Sequence, residues 1–124
     1  MRCPCTSGDT YDACCGPILA GQKDAPTAVR LMRSRFTAFA TGDAGYLLRS
    51  WHPSTSPGAL ELDPETQWRR LDIIDTAAGG LLDTAGVVEF EAFYREGGVR
   101  GSMRERSRFL RSGRVWRYLD AAPG

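Results

Sequence analysis

A chain of 124 residues, 42% hydrophobic and 25% charged, fits one compact domain. Its formal net charge of +1 demands no nucleic acid, and no apolar run approaches the roughly 18 residues that cross a bilayer. The start, Met1-Arg2-Cys3-Pro4, carries no apolar targeting segment, so the expected location is the cytoplasm.

All four cysteines lie at the start, as Cys3-Pro4-Cys5 and the adjacent pair Cys14-Cys15. The spacer 6–12 is rich in turn formers, so the chain can double back and bring the two pairs together. Four soft thiolates on a tetrahedron suit zinc, and a site filled by four protein ligands has no position for an activated water. Such an ion is structural. An iron–sulfur cluster and disulfides are the rival readings, and four cysteines permit three pairings. One of these is strained, because neighbouring α-carbons sit about 3.8 Å apart, below the usual disulfide range.

The stretch 16–26, with Gly21-Gln22-Lys23-Asp24, reads as a link between a knuckle over 1–20 and a domain over 21–124. A helix is predicted over 27–41, with Val29, Met32, Phe36, Phe39 and Ala40 on one face and Gly42 as its stop. Arg33 and Arg35 flank that apolar stripe and are expected on a solvated rim. Asp43 caps a second helix carrying Tyr46, Leu47 and Trp51, and Asp63-Pro64 offers the start of a short third one. A strand is predicted over 70–76, ended by Gly79-Gly80.

Two turn signals, Gly97-Gly98 and Ser112-Gly113, then fix two hairpins. The first sets Tyr94 opposite Gly101, Ala92 opposite Met103, Phe90 opposite Glu105 and Val88 opposite Ser107. On its other face Glu91 meets Arg104 and Glu89 meets Arg106. The second sets Phe109 opposite Trp116, Ser107 opposite Tyr118 and Glu105 opposite Asp120. Both hairpins turn Phe90, Tyr94, Phe109, Trp116 and Tyr118 inward, and a one-residue slip would expose all five. Helices followed by strands give an α+β domain.

Glu105 is out of place on that inward face. It is either structural glue, bonded to Arg33, Arg35 or backbone amides, or a general acid or base with a raised pKa. His52 stands alone among titratable imidazoles, which excludes a histidine pair as metal ligands, and no activated serine or cysteine nucleophile accompanies it. A pocket formed by Trp51, His52, Phe90, Glu105, Trp116 and Tyr118 is the candidate ligand site; packing by a tryptophan plug is the simpler reading of the same residues. On the outward face Arg100, Arg104, Arg106, Arg108 and Arg117 form a patch for RNA or an acidic partner, weakened by the interleaved Glu89 and Glu91.

The run from Cys3 to Pro17 resembles a SEC-C motif, the short zinc-binding segment found at the end of the SecA translocation ATPase and in many bacterial proteins. Leu31-Met32-Arg33-Ser34-Arg35-Phe36, Tyr46-Leu47, Trp51-His52-Pro53 and Glu105-Arg106-Ser107-Arg108-Phe109 are similar to the YchJ family of uncharacterised bacterial proteins. The resemblance implies a zinc knuckle ligated by Cys3, Cys5, Cys14 and Cys15. It also implies a nuclear transport factor 2-like (cystatin-like) cone of curved antiparallel sheet wrapped by helices. No catalytic residue carries over. Thr6 stands where SEC-C motifs usually carry glycine, and the C-terminal SEC-C copy of longer relatives is absent from this sequence. The expected activity is binding: an adaptor for a protein partner through the knuckle, by similarity to SEC-C segments that dock chaperone or ribosome components. A small ligand or reaction in the cone and RNA contact through the arginines are the alternatives. A homodimer through the sheet face is a further expectation.

Overall fold

In the computed structural model, which describes residues 1–122, a 3-10 turn (Tyr11–Ala13) leads into a four-residue helix α1 (Gly16–Leu19). The main helix α2 (Ala28–Thr41) follows, then the short α3 (Ala44–Arg49). Thr27 starts α2 by accepting the Arg30 amide on its hydroxyl at 3.2 Å, and Gly42 ends it at φ +78°, a left-handed value that suits glycine. Asp43 then caps α3 by accepting from the Tyr46 amide at 3.0 Å. No helix among the described residues is long and apolar enough to cross a membrane.

Four antiparallel strands in the order β1-β2-β3-β4 form one sheet: β1 (Thr66–Ala78), β2 (Ala85–Glu96), β3 (Val99–Ser112) and β4 (Val115–Ala121). Its inner face packs on α2. That helix buries Leu31, Met32 and Phe36, and also Ser34, Arg35, Thr37 and Ala38, more than one stripe. The reason is its position between two layers. Phe36 and Phe39 meet Trp68 of β1 at ring separations of 6.2 and 6.1 Å, while Thr37 lies against Cys3 of the N-terminal knuckle. Each large side chain buried this way contributes about 1.5–3 kcal/mol.

The β2–β3 register is the one the Gly97-Gly98 turn dictates, with Tyr94, Ala92, Phe90 and Val88 opposite Gly101, Met103, Glu105 and Ser107. Both turn glycines have positive φ, +56° and +82°, as a two-residue hairpin turn of this hand needs. The β3–β4 register differs from expectation. The turn is Gly113-Arg114, with Ser112 opposite Val115, so Phe109 pairs with Tyr118 and Arg111 with Trp116. A bulge at Arg108/Phe109 then sets Ser107 opposite Ala121 and Arg108 opposite Asp120. Because the slip near the turn is two residues, Phe109, Trp116 and Tyr118 keep their inward face, Trp116 at 2% exposure.

Three further expectations are corrected. Trp51 lies beyond α3 and forms an isolated parallel bridge with Tyr118, its ring edge-on to the tyrosine at 5.2 Å. No helix starts at Asp63-Pro64: Asp63 accepts the Glu65 amide at 2.9 Å in a turn that feeds directly into β1. Arg35 is buried at 3% exposure and not on a rim. It donates to the Leu47 carbonyl at 2.8 Å and the Ser50 hydroxyl at 2.7 Å, and stacks over the rings of Tyr118 and Trp51 at 4.7 and 5.2 Å. The strand expected over 70–76 is there but longer, and it carries two bulges, at Trp68/Arg70 and Ile73/Asp75.

Candidate metal centre

The knuckle is built by short-range backbone bonds. Cys3 N–H donates to the Asp9 carbonyl at 2.9 Å, Thr6 N–H to the Cys3 carbonyl at 3.1 Å and Tyr11 N–H to the Met1 carbonyl at 2.9 Å, folding the spacer back on the first pair of cysteines. Thr10 caps the 3-10 turn by accepting the Ala13 amide at 3.3 Å, which delivers Cys14 and Cys15 at its end. Gly16 permits the close approach that follows, since a Cβ there would meet the Tyr11 ring and carbonyl at 2.9 Å.

The four sulfurs converge, all within 4.8 Å of one another, at exposures of 3% or less. Cys5 and Cys14 are 3.6 Å apart and Cys14 and Cys15 3.9 Å. A disulfide needs about 2.05 Å. Zn–S bonds of about 2.3 Å on a tetrahedron need sulfurs about 3.8 Å apart, so the spacing fits a shared cation and not a bridge. The neighbours are donors. Arg30 directs a guanidinium N–H at the Cys14 sulfur at 3.4 Å, and the Ser7 and Thr37 hydroxyls lie 3.2 Å from Cys14 and 3.7 Å from Cys3. These groups stabilise the negative charge that thiolate ligands bring.

Acidity inside the cluster is uneven. The Cys15 thiol donates to Cys5 and pulls its pKa down to about 4, against the opposing effect of burial. That same hydrogen bond, with burial added, pushes Cys15 up, and burial pushes Cys3 up. The four sulfurs thus surround a space that a cation would fill by displacing thiol protons.

Further links, beyond Arg30 and Thr37, fix the knuckle to the domain. Arg33 of α2, expected on the rim, donates to the Cys5 carbonyl at 3.0 Å. Thr6 has φ +60°, the left-handed value for which glycine is favoured, and its hydroxyl makes two bonds to Leu71 of β1. It donates to the Leu71 carbonyl at 3.2 Å and accepts the Leu71 amide at 3.1 Å. The threonine compensates its backbone strain with a side-chain link that glycine could not make.

The six residues read as a pocket are only partly brought together. Trp51, Phe90, Glu105 and Tyr118 line a cavity of about 160 Å³ under α2, together with Phe36, Phe39 and Trp68. His52 and Trp116 lie outside it. His52 turns to the surface and shares its Nδ1 with the Ser54 hydroxyl at 2.7 Å, while Trp116, also on the inner face, lies near Leu31 and Tyr46. Arg35, missed by the sequence reading, replaces them in the lining. Glu105 does not face Asp120; its Oε2 accepts from the Ser107 hydroxyl at 2.5 Å and from the Tyr118 hydroxyl at 3.3 Å. Burial, and after it the Glu105 charge, push the Tyr118 hydroxyl up to about 12; burial draws Arg35 down to about 10, still charged at neutral pH.

The expected arginine patch is largely neutralised. Arg104 pairs with Glu89 at 2.7 Å, Arg106 with Glu89 at 3.1 Å and Asp75 at 3.4 Å, and Arg108 holds Asp120 by two bonds of 2.6 and 2.5 Å. Glu91, opposite Arg104 in register, accepts instead from Ser102 at 2.9 Å.

Residues 2–17 match the family model of the SEC-C motif, and residues 27–121 match the model described as YchJ, middle NTF2-like domain. A UPF0225 protein of Streptomyces coelicolor is 51% identical over 118 residues, covering 95% of this chain and 92% of its own length. One of Corynebacterium efficiens is 48% identical over 118 residues, covering 95% and 90%. Among solved structures, a SEC-C motif containing protein from Rhodopseudomonas palustris superposes with a TM-score of 0.86 at 33% identity, over 100% of this chain and 99% of that one. Another from Psychrobacter arcticus shares the fold at a TM-score of 0.77 and 24% identity, over 98% and 83%.

Proposed function

The chain belongs to the YchJ (UPF0225) family, and on that premise we propose that it is a zinc-stabilised binding module working in the cytoplasm. In this reading one zinc ion sits among Cys3, Cys5, Cys14 and Cys15, and the knuckle it orders presents a fixed surface to a protein partner. The observation that carries the proposal is the convergence of four buried sulfurs within 4.8 Å, with protein groups on every side. Four thiolates complete a tetrahedron, so the ion orders the chain and leaves no position for a reacting water. A segment this short holds no core of its own; the metal and anchors such as Arg33 and Thr6 order it.

What the knuckle shows to solvent is mostly polar: Arg2, Thr6, Gly8, Asp9, Thr10 and Asp12 are exposed around a buried cysteine set, with Met1 and Ala13 beside them. A partner would read that rim. The cavity is the weaker candidate for function: Glu105 is held by Ser107 and Tyr118, and Arg35 by Leu47 and Ser50, while among the described residues the Trp51 indole N–H is the one polar group of its lining left buried without a partner.

The test joins metal content to partner capture. Wild-type protein purified under reducing conditions should carry about one zinc per chain and recover a partner from bacterial lysate. Cys14→Ser should lose both, and Glu105→Gln should keep both. Equal recovery by the two variants would refute the adaptor reading, and wild-type protein without metal would refute the zinc reading.

A further inference from the structure

The outer face of the sheet distributes its charge unevenly. Where Arg104, Arg106 and Arg108 sit, Glu89, Asp75 and Asp120 answer them. At the end near the Gly97-Gly98 turn, Arg69, Arg70, Arg95 and Arg100 line one groove of about 280 Å³ with Phe93 and Tyr94, and no carboxylate lines it. The carboxylate of Asp72, 3.2 Å from Arg70, is the one ion-pair partner of these four arginines among the described residues, leaving an excess of three positive charges.

Two features of the fold create this crowding. Arg95 and Arg100 stand directly opposite each other across β2 and β3, a like-charge pairing that destabilises a sheet unless an anion lies between. The bulge at Trp68/Arg70 breaks the alternation of β1, so Trp68 and Leu71 both turn inward while Arg69 and Arg70 are both exposed. Without it one of the two arginines would point at the core. Bulges of this kind re-aim side chains next to binding sites.

We propose that this groove binds a phosphate-bearing anion. Guanidinium groups match phosphate oxygens by paired N–H bonds, and the unbalanced charge calls for a ligand with more than one negative charge. The rings do not offer a stacking platform: Arg70 covers Phe93 at 4.2 Å, and Tyr94 lies against Trp68 at 5.1 Å and over Gly101. Recognition therefore goes through the phosphates, which a small phosphorylated metabolite or a single-stranded nucleic-acid backbone can both supply. The proposal is independent of the knuckle and of any partner it holds.

Calorimetric titration of the full chain with inorganic pyrophosphate, and separately with a short single-stranded oligonucleotide, tests it. The variant Arg95→Gln/Arg100→Gln should weaken binding by roughly tenfold or more for each arginine removed, while Arg106→Gln at the balanced end leaves it unchanged. Relief of the like-charge pair should leave the ligand-free melting temperature of the double variant equal to or above that of wild type. Pyrophosphate binding assigns the groove to small phosphoesters; oligonucleotide binding without pyrophosphate binding assigns it to a nucleic-acid backbone. Binding of neither, or the same loss in Arg106→Gln, overturns the proposal.

Discussion

The cysteine cluster and the cavity under α2 both gather polar groups away from water, but they compose them differently. In the cavity most donors meet acceptors: Arg35 bonds Leu47 and Ser50, the hydroxyls of Ser107 and Tyr118 donate to Glu105, and of the described lining the Trp51 indole N–H alone is buried without a partner. In the cluster four sulfurs of one kind face each other, with Arg30 the nearest cation at 3.4 Å from Cys14. A buried set that satisfies itself asks for no ligand; a set of like groups does. The groove of Arg69, Arg70, Arg95 and Arg100 falls on the same side of this division as the cysteines, with the opposite sign of charge. Burial alone does not mark a binding site in this protein; chemical mismatch does.

The strongest test of the contrast is removal of the metal proposed at the four cysteines. Structural zinc supplies about 10–16 kcal/mol in isolated finger peptides, so chelation under reducing conditions should cost this chain several kcal/mol. The melting temperature should fall. Amide exchange should quicken at Leu71, because its N–H is held by Thr6 of the knuckle. A melting curve indifferent to chelator would place the cysteines with the self-satisfied groups and erase the difference.

The next effect in size lies inside the cavity. If its polar groups satisfy one another, deleting one strands the rest. Arg35→Leu should lose about 1.5–3 kcal/mol in urea unfolding, the range for hydrogen bonds made by a charged group. Arg106→Gln, which removes only exposed ion pairs, should lose less than about 1 kcal/mol. Similar losses from both would mean that Arg35 is a dispensable plug and that the cavity is open to other occupants.

What the sequence made legible follows the same physical line. The convergence of the four cysteines was readable because metal chemistry prescribes residue type and spacing, and the β2–β3 register because two adjacent glycines admit one turn. The β3–β4 register was misread by two residues: Gly113 is the first turn residue and not the second, and no signal marked the bulge at Arg108/Phe109. Arg35 looked like rim because it flanks the stripe of α2. Its burial comes from Trp51 and Tyr118, which reach it from a loop and a strand distant in sequence. The arginine groove was hidden for a related reason. Arg69 and Arg70 adjoin in sequence, and only a bulge, which alternation cannot foresee, exposes both beside Arg95 and Arg100.

The smallest effect probes the Tyr118–Glu105 bond through pH. Tyr118 is held protonated, its pKa pushed up to about 12 from an ordinary value near 10, first by burial and then by the Glu105 charge. Below about pH 10 the hydroxyl keeps its proton folded and unfolded, and the bond contributes in full. Between about 10 and 12 the unfolded chain releases that proton while the folded chain retains it, so the contribution shrinks and is gone once the folded group ionises. Tyr118→Phe has no such proton. It should be less stable than wild type by about 1 kcal/mol at pH 8, and the gap should close as pH rises through that window. Tyr11 and Tyr46, also shifted upward, are common to both proteins and cancel in the difference. A gap constant from pH 8 to 12 would mean that Tyr118 does not hold Glu105 through its hydroxyl, and the cavity would then contain a carboxylate served by Ser107 alone, closer in kind to the mismatched sites than to a closed core.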